Sequence, residues 1–80
     1  MKVKVLIFGI IADLIGESSI IIELKEASYI RDLKQQLIAA YPQVKNYTNF
    51  AVALNEEYAL DTTKIKAKDV IAIIPPVSGG

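Results

Sequence analysis

Val70-Ile71-Ala72-Ile73-Ile74, followed by Pro75-Pro76-Val77-Ser78-Gly79-Gly80, decides how this chain is read. An unbroken apolar run bounded by prolines predicts a strand shielded from water on both faces. Side chains alternate along a strand, so Ile71 and Ile73 share one face, while Val70, Ala72 and Ile74 share the other. The prolines beyond it fix φ and favour an extended exit, and the glycine pair carries no Cβ. Six such residues reach roughly 20 Å at about 3.1–3.5 Å per residue. An ordinary frayed end is the alternative. A stiff stem argues against it, because preordering an arm lowers the entropy lost when that arm enters a partner's pocket. The expected organisation is a domain over residues 1–74 and an extended diglycine tail over 75–80, with the Gly80 carboxylate as the functional group.

Working back from this strand, Lys2 to Phe8 alternates and then turns apolar at Leu6-Ile7-Phe8, which predicts a strand with Val3, Val5 and Ile7 on its core face. Ile10 to Ile15 predicts a short helical turn stopped by Gly16, and Ser19 to Leu24 a second strand. Ser28 is the expected cap of a helix whose apolar residues Ile30, Leu33, Leu37 and Tyr41 recur at helical spacing, closed by Pro42. After a polar link, Phe50 to Leu54 predicts a strand, Asn55-Glu56-Glu57 a turn and Tyr58 to Leu60 a short returning strand. Asp61 to Lys68 is expected as a loop with one helical turn anchored by Ile65. The fold class is therefore α+β: a mixed sheet of four to five strands packed on one main helix. That order resembles the β-grasp, or ubiquitin-like, arrangement. A ferredoxin-like split βαβ that has lost an element is also compatible with it.

Composition narrows the chemistry. Eighty residues make one domain, and nine basic against nine acidic residues give no electrostatic case for nucleic acid or an anionic membrane. The absence of cysteine and histidine removes thiolate nucleophiles, imidazole bases, disulfides and the usual zinc ligands, so no metal or cofactor site is expected. No apolar stretch approaches the length of a membrane span, and Met1-Lys2-Val3-Lys4 suits a strand rather than a signal peptide; a cytoplasmic location is expected.

The outward face of the last strand would stay exposed if a single helix covers the sheet. Leu6, Phe8, Tyr58, Val70 and Ile74 are then the expected anchors of a protein interface. The plainer alternative is burial of that face by a loop. Lys64, Lys66 and Lys68 are expected as a solvated loop face, and Glu56-Glu57 as solvated turn residues without a base or metal ligand beside them. Gly9 and Gly16 do not form a phosphate loop.

Asp69-Val70-Ile71-Ala72-Ile73-Ile74-Pro75-Pro76-Val77-Ser78-Gly79-Gly80 resembles the ending of the MoaD-like group of ubiquitin-fold sulfur carriers, the small subunits of molybdopterin synthase. Val3 to Phe8, Leu14-Ile15-Gly16 and Val52-Ala53-Leu54-Asn55 support the resemblance, which spans the chain. Lys68 stands where that family usually has glycine, and Val70 where it usually has an acidic residue. The resemblance implies that a MoeB-like, ubiquitin-activating-type enzyme adenylates Gly80 with ATP and that a sulfur donor converts the adenylate to a thiocarboxylate. The tail then enters a MoaE-like large subunit in a heterotetramer, where sulfur passes to cyclic pyranopterin monophosphate. On this reading the chain is a sulfur donor, not an enzyme on its own. Gly79 and Gly80 deliver, Pro75 and Pro76 stiffen, and Phe8, Tyr58 and Ile74 match contact positions. Thiamine (ThiS-like) or tRNA-thiolation carriers share the diglycine and are alternatives, as are an ubiquitin-like protein modifier and a plain interaction domain.

Overall fold

In the computed structural model, which describes residues 1–47 and 49–75, one mixed sheet lies against one long helix. Strands β1 (Lys2–Ile7) and β2 (Ser19–Glu23) form an antiparallel hairpin around helix α1 (Gly9–Ile15). Helix α2 (Ile30–Ala40) follows, then a 3-10 helix (Pro42–Tyr47), and then β3 (Ala51–Leu54), β4 (Glu57–Tyr58) and β5 (Val70–Ile74). The strand order is β2-β1-β5-β3-β4. β5 is thus inserted centrally, parallel to β1 and antiparallel to β3. This is the β-grasp arrangement, and the five-stranded sheet excludes the split βαβ alternative.

The alternation read from sequence governs the core. Val3, Val5 and Ile7 of β1, Val52 of β3 and Ile71 and Ile73 of β5 are buried on one face, together with Ile30, Leu33 and Leu37 of α2. Each such side chain contributes about 1.5–3 kcal/mol when fully removed from water. α1 ends where expected, since Gly16 adopts φ 84° and its N–H donates to the Ala12 carbonyl.

Four local expectations are corrected. Ser28 does not cap α2: its hydroxyl donates to the Lys25 carbonyl, and Tyr29 is the N-cap, its N–H donating to the Asp32 carboxylate at 2.8 Å. An acceptor at the third helical position satisfies that N–H while placing negative charge at the positive end of the helix. The polar link after Pro42 is a 3-10 helix pinned by buried Val44. The returning strand is Glu57–Tyr58 rather than Tyr58–Leu60: the turn occupies only Asn55 and Glu56, so the strand begins one residue earlier, and its pairing with β3 ends at Tyr58. Ile65 does anchor the following loop, but through a bridge between Tyr29 and Lys64 rather than a helical turn.

Candidate functional site

β5 presents two chemically different sides because its neighbours are in register. Leu6 of β1 aligns with Ala72, which aligns with Ala53 of β3, and Ala53 aligns with Tyr58 of β4. One step along, Lys4 aligns with Val70; at the other end Ala51 aligns with Ile74. This row pattern runs across the face opposite α2. Phe8 keeps an extended backbone (φ −127°, ψ 159°) as the N-cap of α1, so its side chain follows Leu6 onto the same face.

Among the described residues no element covers that face. Phe8 is 49% exposed, Tyr58 77% and Val70 41%, with Leu6 and Ile74 half-buried. Leu6, Phe8, Val70 and Ala72 form the apolar floor and wall of a groove of about 500 Å³, and Asn55 and Glu56 form its polar rim. Of the five anchors expected from sequence, Leu6, Phe8 and Val70 are brought together around the groove. Tyr58 and Ile74 share the sheet face but do not line it. Ala72 was legible from alternation but is small. Asn55 and Glu56 were read only as a turn, and nothing local signals that the turn folds back beside Val70. Leu60, two residues beyond Tyr58, is also 73% exposed, but it lies past the end of β4 and does not line the groove.

The hairpin turn beside the groove is unusual. Asn55 and Glu56 both have positive φ, 51° and 73°, the backbone of a tight two-residue hairpin that ordinarily calls for glycine at its second position. Asn55 tolerates this conformation; Glu56 is there at a steric cost. The Asn55 carboxamide is committed on both sides, accepting from the Val70 N–H at 2.9 Å and donating to Asp69 at 2.8 Å.

At the opposite end of β5, the Pro75 ring lies against Gly9. A Cβ on Gly9, which has φ 60°, would come within 2.7 Å of the ring's Cγ. Absence of a side chain there lets Pro75 pack into the β1–α1 corner where β5 ends. Pro76, Val77, Ser78, Gly79 and Gly80 lie outside the described residues.

A second concavity, about 560 Å³, opens beside the start of α2 among Lys25, Glu26, Arg31, Asp32 and Gln35. Its charges are of both signs, and the Arg31 guanidinium lies 5.1 Å from the Tyr29 ring centroid. Leu24, Ala27, Tyr29 and Ala39 line it as well, so it mixes apolar and charged side chains without gathering any of the residues expected for docking. Among the described residues no cluster of three or more histidine, cysteine or acidic side chains is placed to hold a metal ion, and no helix is long and apolar enough to cross a membrane.

Comparison with known proteins matches residues 5–80 to the ThiS family. The molybdopterin synthase sulfur carrier subunit of Chlamydomonas reinhardtii is 39% identical over 83 aligned residues, covering 100% of this chain and 100% of its own. A putative molybdopterin converting factor subunit 1 from Pyrococcus furiosus superposes with a TM-score of 0.88 at 29% identity, over 96% of this chain and 99% of that one. The chain is also similar to a component of the complex of subunits 1 and 2 of the Helicobacter pylori molybdopterin-converting factor. There the identity is 30% and the TM-score 0.70, with 100% of both chains covered.

Proposed function

The chain belongs to the ThiS family, and from that premise we propose that it is the sulfur carrier subunit of molybdopterin synthase, acting in molybdenum cofactor biosynthesis. The observation that carries this reading is an uncovered apolar groove on the very strand that leads into a diglycine ending, in a chain without cysteine or histidine. Full-length similarity to molybdopterin synthase carriers favours this pathway over the thiamine and tRNA-thiolation alternatives. Assembly with a large subunit is supported by the two-subunit Helicobacter complex.

In the proposed cycle the Gly80 carboxylate attacks the α-phosphorus of ATP on an adenylating enzyme and expels pyrophosphate. A carboxylate is a poor electrophile, and the adenylate supplies the missing leaving group. Sulfide-level sulfur from the donor attacks the acyl carbon, displaces AMP and leaves a thiocarboxylate, a soft nucleophile that requires no cysteine on its carrier. The sheet face, through Leu6, Phe8, Tyr58, Val70 and Ile74, docks on the large subunit, and the tail delivers sulfur to cyclic pyranopterin monophosphate. The large subunit supplies the general acids and bases. The chain contributes no catalytic side chain and binds no cofactor itself, and its proposed setting is the cytoplasm.

Intact-mass measurement tests the proposal. Incubation with the adenylating enzyme, ATP and a sulfur donor is expected to add one sulfur-for-oxygen exchange, lost again when Gly80 is deleted. An unchanged mass with an enzyme active on another carrier overturns it, and attachment of the intact chain to lysines favours the modifier reading.

A further inference from the structure

The groove's polar rim is held by contacts between residues far apart in sequence. Asn55 Nδ2 donates to one Asp69 carboxylate oxygen at 2.8 Å, and the other oxygen accepts from the Lys66 N–H at 2.7 Å. Asn55 Oδ1 accepts from the Val70 N–H at 2.9 Å, while the Asn55 N–H donates to the Val70 carbonyl at 2.8 Å. Three segments meet here: the β3–β4 turn, the loop before β5 and the first residue of β5.

This clamp has a specific burden. β4 has only two residues, both exposed, and pairs with β3 at two positions. The turn before it holds Asn55 and Glu56 at positive φ without glycine. β3 is anchored by buried Val52, and the Ala59 N–H donates to the Val52 carbonyl at 2.8 Å, but the two turn residues and β4 itself lie outside the core, and a backbone conformation of this kind persists only where surrounding contacts over-determine it. The hairpin nevertheless carries Tyr58, and its turn forms one wall of the groove whose floor includes Val70.

We infer that Asn55 and Asp69 are a positioning pair for docking: their side-chain clamp sets the β3–β4 hairpin against the start of β5 and so fixes the spacing between Tyr58, the groove rim and Val70 that the synthase large subunit reads. The inference rests on the sulfur-carrier reading. Neither residue touches the reacting carboxylate, and both act through the surface they arrange.

The bonding pattern supplies its own test, because exchanging the two side chains preserves it. In N55D two carboxylates face each other and the Nδ2 donor is gone. In D69N one oxygen must serve two donors, Asn55 Nδ2 and the Lys66 N–H, where the carboxylate offers two. In N55D/D69N the residue 69 amide donates to the residue 55 carboxylate, which still accepts from the Val70 N–H. The residue 69 carbonyl oxygen then accepts from the Lys66 N–H.

The measurement is calorimetric affinity of the full chain for the synthase large subunit, read beside thermal melting and amide exchange at Val70 and Lys66. I65V provides a core change that leaves both clamp side chains in place, since Ile65 is buried beneath the loop before β5 and does not line the groove. Each single variant is expected to bind about tenfold more weakly, a loss of about 1.4 kcal/mol, with faster exchange at Val70. The exchanged pair is expected within about threefold of the native chain, and I65V at native affinity despite a lower melting temperature. Single variants that bind like the native chain overturn the clamp's role, as does an exchanged pair that regains slow exchange but not affinity. Equal weakening by I65V shows a general stability effect and also overturns it. Failure of the native chain to bind the large subunit at all overturns the sulfur-carrier reading, and the inference with it.

Discussion

Ile71 and Ile73 of β5 are fully buried, while Val70, Ala72 and Ile74, each one peptide bond away, remain partly open to solvent. The two sets belong to the same five-residue strand and differ only in the side of the sheet they meet. On the inner side, α2 offers Leu33 and Leu37 and the strand contributes to stability. On the outer side no element among the described residues intervenes, and the same kind of apolar surface stays open as the proposed docking face. An isolated exposed valine would need no explanation. A row running from Leu6 through Ala72 and Ala53 to Tyr58, with Phe8 and Val70 flanking it, does.

The sharpest break in this comparison is expected on the inner side. Ile71→Ala or Ile73→Ala should cost about 2–5 kcal/mol of folding stability, measured by urea unfolding. That is much of the total expected for a domain this size, about 4–12 kcal/mol. Partner affinity would then fall only because the folded fraction falls. Val70→Asp or Phe8→Glu should do the reverse. Calorimetry against the large subunit should show weakening of about ten- to a hundredfold, since an unpaired charge must be desolvated on docking, with stability changed by about 1 kcal/mol or less. If such a variant unfolds instead, the face is structural.

A smaller effect, of opposite sign, is expected at the turn. Glu56→Gly relieves the positive-φ cost and should raise stability by about 1 kcal/mol in thermal unfolding. No gain would mean that the clamp, not residue 56, dictates the turn. Smallest of all is the 2.6 Å ion pair between Lys34 and Asp61, both partly exposed. Asp61→Asn should change stability by less than about 1 kcal/mol, and the difference should disappear in concentrated salt.

How much of this was legible follows from the range of each interaction. β5, β1 and α2 announce themselves through period-2 and helical spacing, and their core residues lie where those periods put them. Gly16 stops α1 by a purely local mechanism. The 3-10 helix was hidden because Pro42-Gln43-Val44-Lys45-Asn46-Tyr47 is mostly polar, and its single buried residue, Val44, gives no period. The α2 cap was misplaced by one residue because Ser28 is a good capping type, but its hydroxyl is turned back to Lys25 and the Asp32 carboxylate takes over the role. The outer face followed from alternation once a single covering helix was assumed. Its rim did not, since Asn55 meets Asp69 and Val70 only through pairing of strands distant in sequence. The tail's chemistry is legible in its residue types and in the likeness of its ending alone.

The most direct test of a body that docks and a terminus that delivers is a single-turnover reaction. Chain carrying a thiocarboxylate at Gly80 is mixed with the large subunit and cyclic pyranopterin monophosphate, and the intact mass of the chain is followed beside pterin product. The expected result is return of the chain to its carboxylate mass as sulfur appears in the pterin, much slowed by Phe8→Glu. Sulfur that stays on the chain in the presence of an active large subunit, or transfer that proceeds unchanged with Phe8→Glu, would contradict the account.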